Sequence, residues 1–216
     1  DRDGGGAGIG SYCAMSNSWG WDNTGDSVGH LCAWAKMQLG WIQPVDLSAA
    51  GDYSLQSAAL FPEAFIITSN FPNGEYLLVE NRQPAGFDSF LRQGGLAIWH
   101  IDEQKSDNDD EGYPGQRRWP KNGNHYKVAL LQADGLYGLE RGRNRGDEGD
   151  VYHGFGVEEI SGDTVPNTDS YQGGRIESTG VTISSISEPG PTMTFTFSSS
   201  SIAPPPPPPP PPSSCA

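Results

Sequence analysis

The sequence predicts an α+β fold that is mostly β: one packing helix over about residues 28–39, then a mainly antiparallel β-rich subdomain, then a proline-rich tail. Three observations predict it. Glycine is abundant, at 29 of 216 residues, and charged residues make up only 19%, a composition suited to loops and strands rather than a helical bundle. The apolar residues come in short runs rich in β-formers, separated by glycine and proline. A single stretch, Val28, Leu31, Cys32, Ala35 and Leu39, repeats at helical spacing.

Residues 1–26 are glycine-rich and aromatic and read as a surface loop with a turn around Met15. They do not form a phosphate-binding fingerprint. After Gly4 and Gly6 the third glycine would fall at Ile9, and no strand precedes them. In the helix, Asp26 or Ser27 is placed to cap the start, Gly40 to stop it in the left-handed conformation, and His30 and Lys36 to face solvent. Strands are expected over 52–57, 64–68, 75–80, 95–101, 126–132, 181–186 and 192–197. Two of them, around Tyr76-Leu77-Leu78-Val79 and Leu96-Ala97-Ile98-Trp99, are dense apolar runs that read as buried strands.

The segment joining these two strands carries Arg82, Phe87, Asp88 and Arg92 and should fold back over the sheet. The last strand alternates, so Met193, Phe195 and Phe197 should point inward. Loops over 103–125 and 138–150 are polar and too long to be plain connectors, which suggests site-building or tethering. The domain should end near residue 198. Beyond it, nine consecutive prolines, Pro204 to Pro212, predict a stiff polyproline rod, either a spacer from a wall or a neighbouring module or a ligand for a proline-binding domain.

Asp and Glu outnumber Lys and Arg 27 to 13, a formal charge of −14, which argues against a nucleic-acid groove. No apolar run reaches the length of a membrane span. Asp1-Arg2-Asp3-Gly4 opens without an initiator methionine, and we expect a piece of a longer precursor. Cys13 and Cys32 lie close enough in sequence to bridge, which would favour an oxidising compartment; the competing reading is two buried free thiols. Either way Cys215 is left odd.

The four histidines are followed by Leu31, Ile101, Tyr126 and Gly154, so none opens a His-Glu-x-x-His zinc motif. No Gly-x-Ser-x-Gly elbow is present either. Asp102, Asp134, Asp147 and Asp150 sit at strand ends or in glycine-containing loops, where hard oxygen donors suit calcium. The competing reading is turn aspartates bonded to their own backbone. His100 and Asp102 leave the same strand and read either as a hydrogen-bonded structural pair or as a polar site.

Several blocks in order resemble a known family. They are Gly8-Ile9-Gly10-Ser11-Tyr12-Cys13-Ala14-Met15-Ser16-Asn17-Ser18-Trp19, the helix end Trp34-Ala35-Lys36-Met37-Gln38-Leu39-Gly40-Trp41, and the strands Tyr76 to Gln83 and Gly95 to Asp102. Val128 to Gly135, Gly146-Asp147-Glu148-Gly149-Asp150 and the closing strand Thr192 to Phe197 follow. Together they look like the C-terminal part of M6-type peptidases, the secreted zinc metalloproteases related to immune inhibitor A.

The resemblance implies an extracellular zinc endopeptidase acting on protein or peptide substrates through the complete domain. Its His-Glu-x-x-His helix and third, acidic ligand would lie ahead of Asp1, so the zinc ligands are expected outside this chain and the fragment alone inactive. Met15 would take the place of the Met-turn methionine, packing beneath the metal without coordinating it. Two other readings compete: a non-catalytic, calcium-stabilised β domain on a proline stalk for adhesion or wall attachment, and a pseudo-peptidase.

Overall fold

The structure, a computed structural model, describes residues 6–200; the proline run and Cys215 lie outside the described residues. The fold is mostly β, with eight strands and a single α-helix among the described residues. The helix, α1, is Ala33–Gln38. The strands are β1 (Val45–Asp46), β2 (Gly51–Gln56), β3 (Phe65–Ile67), β4 (Glu75–Arg82), β5 (Gly95–Asp102), β6 (Val128–Leu130), β7 (Val181–Ser184) and β8 (Thr192–Ser199).

They form a five-stranded sheet in the order β1-β3-β4-β5-β6 and a three-stranded sheet in the order β2-β8-β7. All pairings are antiparallel except β1 with β3. β4 and β5 pair along their whole length, from Glu75 opposite Asp102 to Arg82 opposite Gly95, and every residue of both is buried.

Full burial follows from their place in the middle layer. Tyr76, Leu78, Ala97, Trp99 and Ile101 face a core shared with α1 and the N-terminal segment. The alternate residues Leu77, Val79, Leu96 and Ile98 face Met193, Phe195 and Phe197 of the smaller sheet. Two apolar faces on one strand erase alternation and leave the continuous apolar runs seen in the sequence. β8, covered on one face only, keeps its alternation, and its three apolar side chains point inward as expected.

The helix is shorter than its periodicity predicts. Residues 28–32 are not helical, and Cys32, with ψ 161°, takes the position before α1. Gly29 explains part of this: a Cβ there would come within 2.3 Å of the Ser11 carbonyl oxygen, so the chain runs extended against the N-terminal segment. Asp26 and Ser27 therefore cap nothing, although Gly40 does adopt φ 71°. Lys36 is buried rather than solvent-facing. The segment between β4 and β5 folds back as expected, through a 3-10 turn at Gly86–Asp88 whose Asp88 is buried.

Candidate functional site

Three polar groupings surround the central hairpin, and their chemistry differs. Beneath α1, Lys36 Nζ donates to Glu80 Oε2 at 2.7 Å and Arg82 Nη1 to Glu80 Oε1 at 3.0 Å. Arg82 also grips Asp88 with Nε and Nη2, both at 2.7 Å, and its Nη1 reaches the Tyr12 carbonyl oxygen. Trp99 Nε1 adds a bond to Glu80 at 3.1 Å. Burial works against the Glu80 carboxylate, but the two cations outweigh it and hold its pKa down at about 2. Two carboxylates meet two cations here, and the cluster fastens the helix, the hairpin and the N-terminal segment together.

At the other end of the hairpin, His100 and Asp102 do not pair with each other. Residues two apart on a strand point to the same side, and each finds a partner across from it. His100 Nε2 bonds Glu75 Oε1 at 2.7 Å, and His125 Nε2 bonds Asp102 Oδ2 at 2.8 Å. Ser170 Oγ donates to the other Glu75 oxygen, and Gln172 Nε2 to Asp102 Oδ1 at 3.0 Å. Burial raises the pKa of both carboxyls, but their histidine partners lead the hydrogen bonds that outweigh it and leave it below the ordinary range. The two imidazoles line a void of about 20 Å³, room for roughly one water molecule. In this grouping both oxygens of Asp102 accept hydrogen bonds, and Asp102 stands apart from the three aspartates that converge in the loop described next.

The third grouping is the loop triad. Oxygens of Asp134, Asp147 and Asp150 lie within 4.8 Å of one another, the only such group of three or more acidic, His or Cys side chains among the described residues. Asp134 Oδ1 accepts from the Leu136 N–H and Asp147 Oδ1 from the Gly149 N–H, the self-bonded turns that aspartate favours. Asp150 differs. It is 1% exposed, its Oδ2 accepts from the Asp147 N–H at 2.7 Å, and its Oδ1 has no partner. Burial, with Asp147 and Asp134 alongside, pushes its pKa up to about 7. Gly149 lets the loop approach closely, since a Cβ there would stand 3.0 Å from Asp134 Oδ2. Hard, anionic oxygens from a turn-rich loop are the donor type a cation such as calcium takes, and Asp134, Asp147 and Asp150 are the residues that could hold one.

The residues present do not fit zinc. Every three-donor group among the described residues is purely carboxylate, and the Nε2 atoms of His100 and His125 are already committed to carboxylates.

Met15 does not fill an interior gap. Its side chain is 80% exposed at the rim of a cavity of about 270 Å³ whose other walls include Cys13, Cys32, Trp34 and Val128. Cys13 and Cys32 are free thiols in this structure, both 1% exposed, with the Cys32 N–H donating to Cys13 Sγ at 3.3 Å. Sequence reasoning named the two cysteines and the four aspartates Asp102, Asp134, Asp147 and Asp150, but it placed Lys36 in solvent and missed His125. The partners of those two lie 44 and 23 residues away, and no local pattern announces them.

The chain is thus a two-sheet, mostly β domain with an acidic loop triad and an apolar cavity beside its helix. Compared with models of known protein families and with curated proteins, it matches none. No helix among the described residues is long and apolar enough to cross a membrane.

Proposed function

We propose that this chain is the Met-turn and β-support portion of a secreted zinc-dependent endopeptidase of the immune inhibitor A-like kind, with the metal-binding histidines and general-base glutamate contributed by residues ahead of Asp1. The observation that carries the reading is Met15. The stretch that resembles a Met turn puts an apolar side chain, 80% exposed, at the mouth of a cavity walled by Trp34 and Val128. Leaving that much thioether in water is unfavourable, and an apolar element seated over the cavity would remove the cost. In this role the chain supplies the floor and one wall of a cleft, with the Lys36–Glu80–Arg82–Asp88 cluster fixing that floor to the sheet.

The test is direct. The 216 residues alone should hold no stoichiometric zinc at micromolar concentration and cleave no casein. The sequence encoded immediately ahead of Asp1 should carry His-Glu-x-x-His, and the extended chain should do both. Stoichiometric zinc on the isolated chain, or a start codon in place of that motif, would overturn the reading.

A second reading is favoured by a different observation, the unpartnered Asp150 oxygen inside the acidic triad. In it the chain is a non-catalytic β domain whose loop is clamped by calcium, carried on its proline-rich stalk for adhesion or wall attachment. A cation that binds only the folded state must stabilise it. A melting temperature that stays the same in calcium and in chelator removes this reading.

A further inference from the structure

We propose that Cys13 and Cys32 form a redox pair: a small peroxide entering the Met15 cavity oxidises Cys13, and Cys32 resolves the product into a disulfide. The geometry rests on placement. Cys13 follows the 3-10 turn Gly10–Tyr12 and Cys32 immediately precedes α1, and the two residues come together between the N-terminal segment and the helix start. The Cys32 N–H donates to Cys13 Sγ at 3.3 Å, which brings the Cys32 backbone within contact of that sulfur. Both cysteines line the same cavity of about 270 Å³. Each is closed to bulky reagents at 1% exposure, yet that volume admits a molecule of peroxide size.

The two thiols are also unequal, as an attacking and a resolving thiol should be. The bond from Cys32, with N–H donation from Cys32 and Met15 and the charge of Arg82, pulls the Cys13 pKa down to about 6. The bond to Cys13 and burial push Cys32 well above its ordinary value. A thiolate beside a guanidinium and backbone donors is the reactive form, and the second thiol keeps its proton until the first has been oxidised.

The steps balance. Cys13 thiolate attacks one peroxide oxygen, the O–O bond breaks, and the departing hydroxide takes up a proton to leave as water. Cys13 is then a sulfenic acid, oxidised by two electrons. Cys32 gives up its proton and attacks Cys13 Sγ, the S–O bond breaks, and a second water leaves. Two thiols and one hydrogen peroxide become one disulfide and two waters.

The experiment uses the full chain carrying Cys215→Ser, so that the tail thiol cannot compete. After hydrogen peroxide at neutral pH, peptide mapping without reductant should find a peptide joining Cys13 to Cys32 and lighter by two hydrogens. Adding Cys32→Ser should let dimedone trap a sulfenic acid at Cys13, whereas Cys13→Ser should leave Cys32 untrapped, an expected difference of about tenfold or more in labelling. Met15, largely exposed, reports that the oxidant was present, because its thioether becomes a sulfoxide. Sulfoxide at Met15 with both thiols intact overturns the proposal. Equal trapping at the two cysteines overturns the roles assigned to them.

Discussion

Two charge clusters lie beside the central hairpin, one buried throughout and one half-buried, and they differ in balance. Beneath α1, Glu80 and Asp88 are matched by Lys36 and Arg82, and each carboxylate sits within about 3 Å of a cation. In the 134–150 loop, three carboxylates converge, none of them takes part in a salt bridge among the described residues, and one buried oxygen bonds to nothing. The comparison separates a fastening from a vacancy in charge. A saturated cluster holds the chain together; in the unbalanced one the buried Asp150 charge is disfavoured, and protonation or a cation would relieve it.

The sharpest way to break this contrast is at Arg82. Arg82→Met leaves Glu80 and Asp88 buried without their main counter-charge, and the expected loss is about 3–5 kcal/mol in urea unfolding. A loss under about 1 kcal/mol would mean the cluster is not saturated in solution. Arg82→Lys should recover only part, because an ammonium cannot span both Asp88 oxygens.

Next in size is the acidic triad. At one hundred times its dissociation constant, calcium should add about 2.7 kcal/mol to the native chain and essentially nothing to Asp150→Asn. In chelator the same variant should melt at or above the native temperature, since it removes a buried negative charge. An Asp150→Asn chain that responds to calcium as the native one does would place the ion elsewhere.

A pH titration sharpens the comparison further. Glu80 has a folded pKa near 2, below its ordinary 4.5, so the stability it contributes is complete above about pH 4.5 and is lost as the pH falls toward 2. Glu80→Gln should flatten that acid limb of the melting curve, although it also lowers stability at neutral pH.

A last test concerns Glu140, which burial raises from 4.5 to about 7. A raised carboxyl contributes below about pH 4.5, and that contribution is lost as the pH climbs through 7. Glu140→Gln, keeping shape and a hydrogen bond to Gln132, should therefore gain stability at pH 8 relative to pH 4.5. No gain would place Glu140 in a wetter setting than the structure gives it.

Legibility in the sequence followed the range of the interaction. The strands could be read because burial on one or two faces imprints a local pattern, seen in the alternation of Thr192–Phe197 and the dense runs of β4 and β5. Asp147 and Asp150 were legible because the loop that folds them together is short and marked by Gly146 and Gly149. The α1 boundary misled because Val28 and Leu31 keep helical spacing while Gly29 is pressed against Ser11. Lys36 misled for another reason: a cation on a helix face looks solvated until a partner 44 residues away is placed beneath it. For Asp102 the sequence leaves a candidate oxygen ligand and a hydrogen-bonded structural residue both open, and only the fold shows that its partner is His125. β1, two residues long and paired in parallel, leaves no pattern to read.

The smaller sheet has a consequence for synthesis. Its central strand is β8, the last strand among the described residues, and β2 pairs with nothing else in that sheet: Tyr53 stands opposite Phe195 and Leu55 opposite Met193. On the ribosome, a nascent chain that has finished β2 must wait through some 140 further residues before its partner emerges. Until then the apolar side of β4 and β5 that β8 will cover stays open to water. Premature termination before Thr192 should therefore yield an aggregating product for chaperones and proteases to clear, not a smaller version of the same domain.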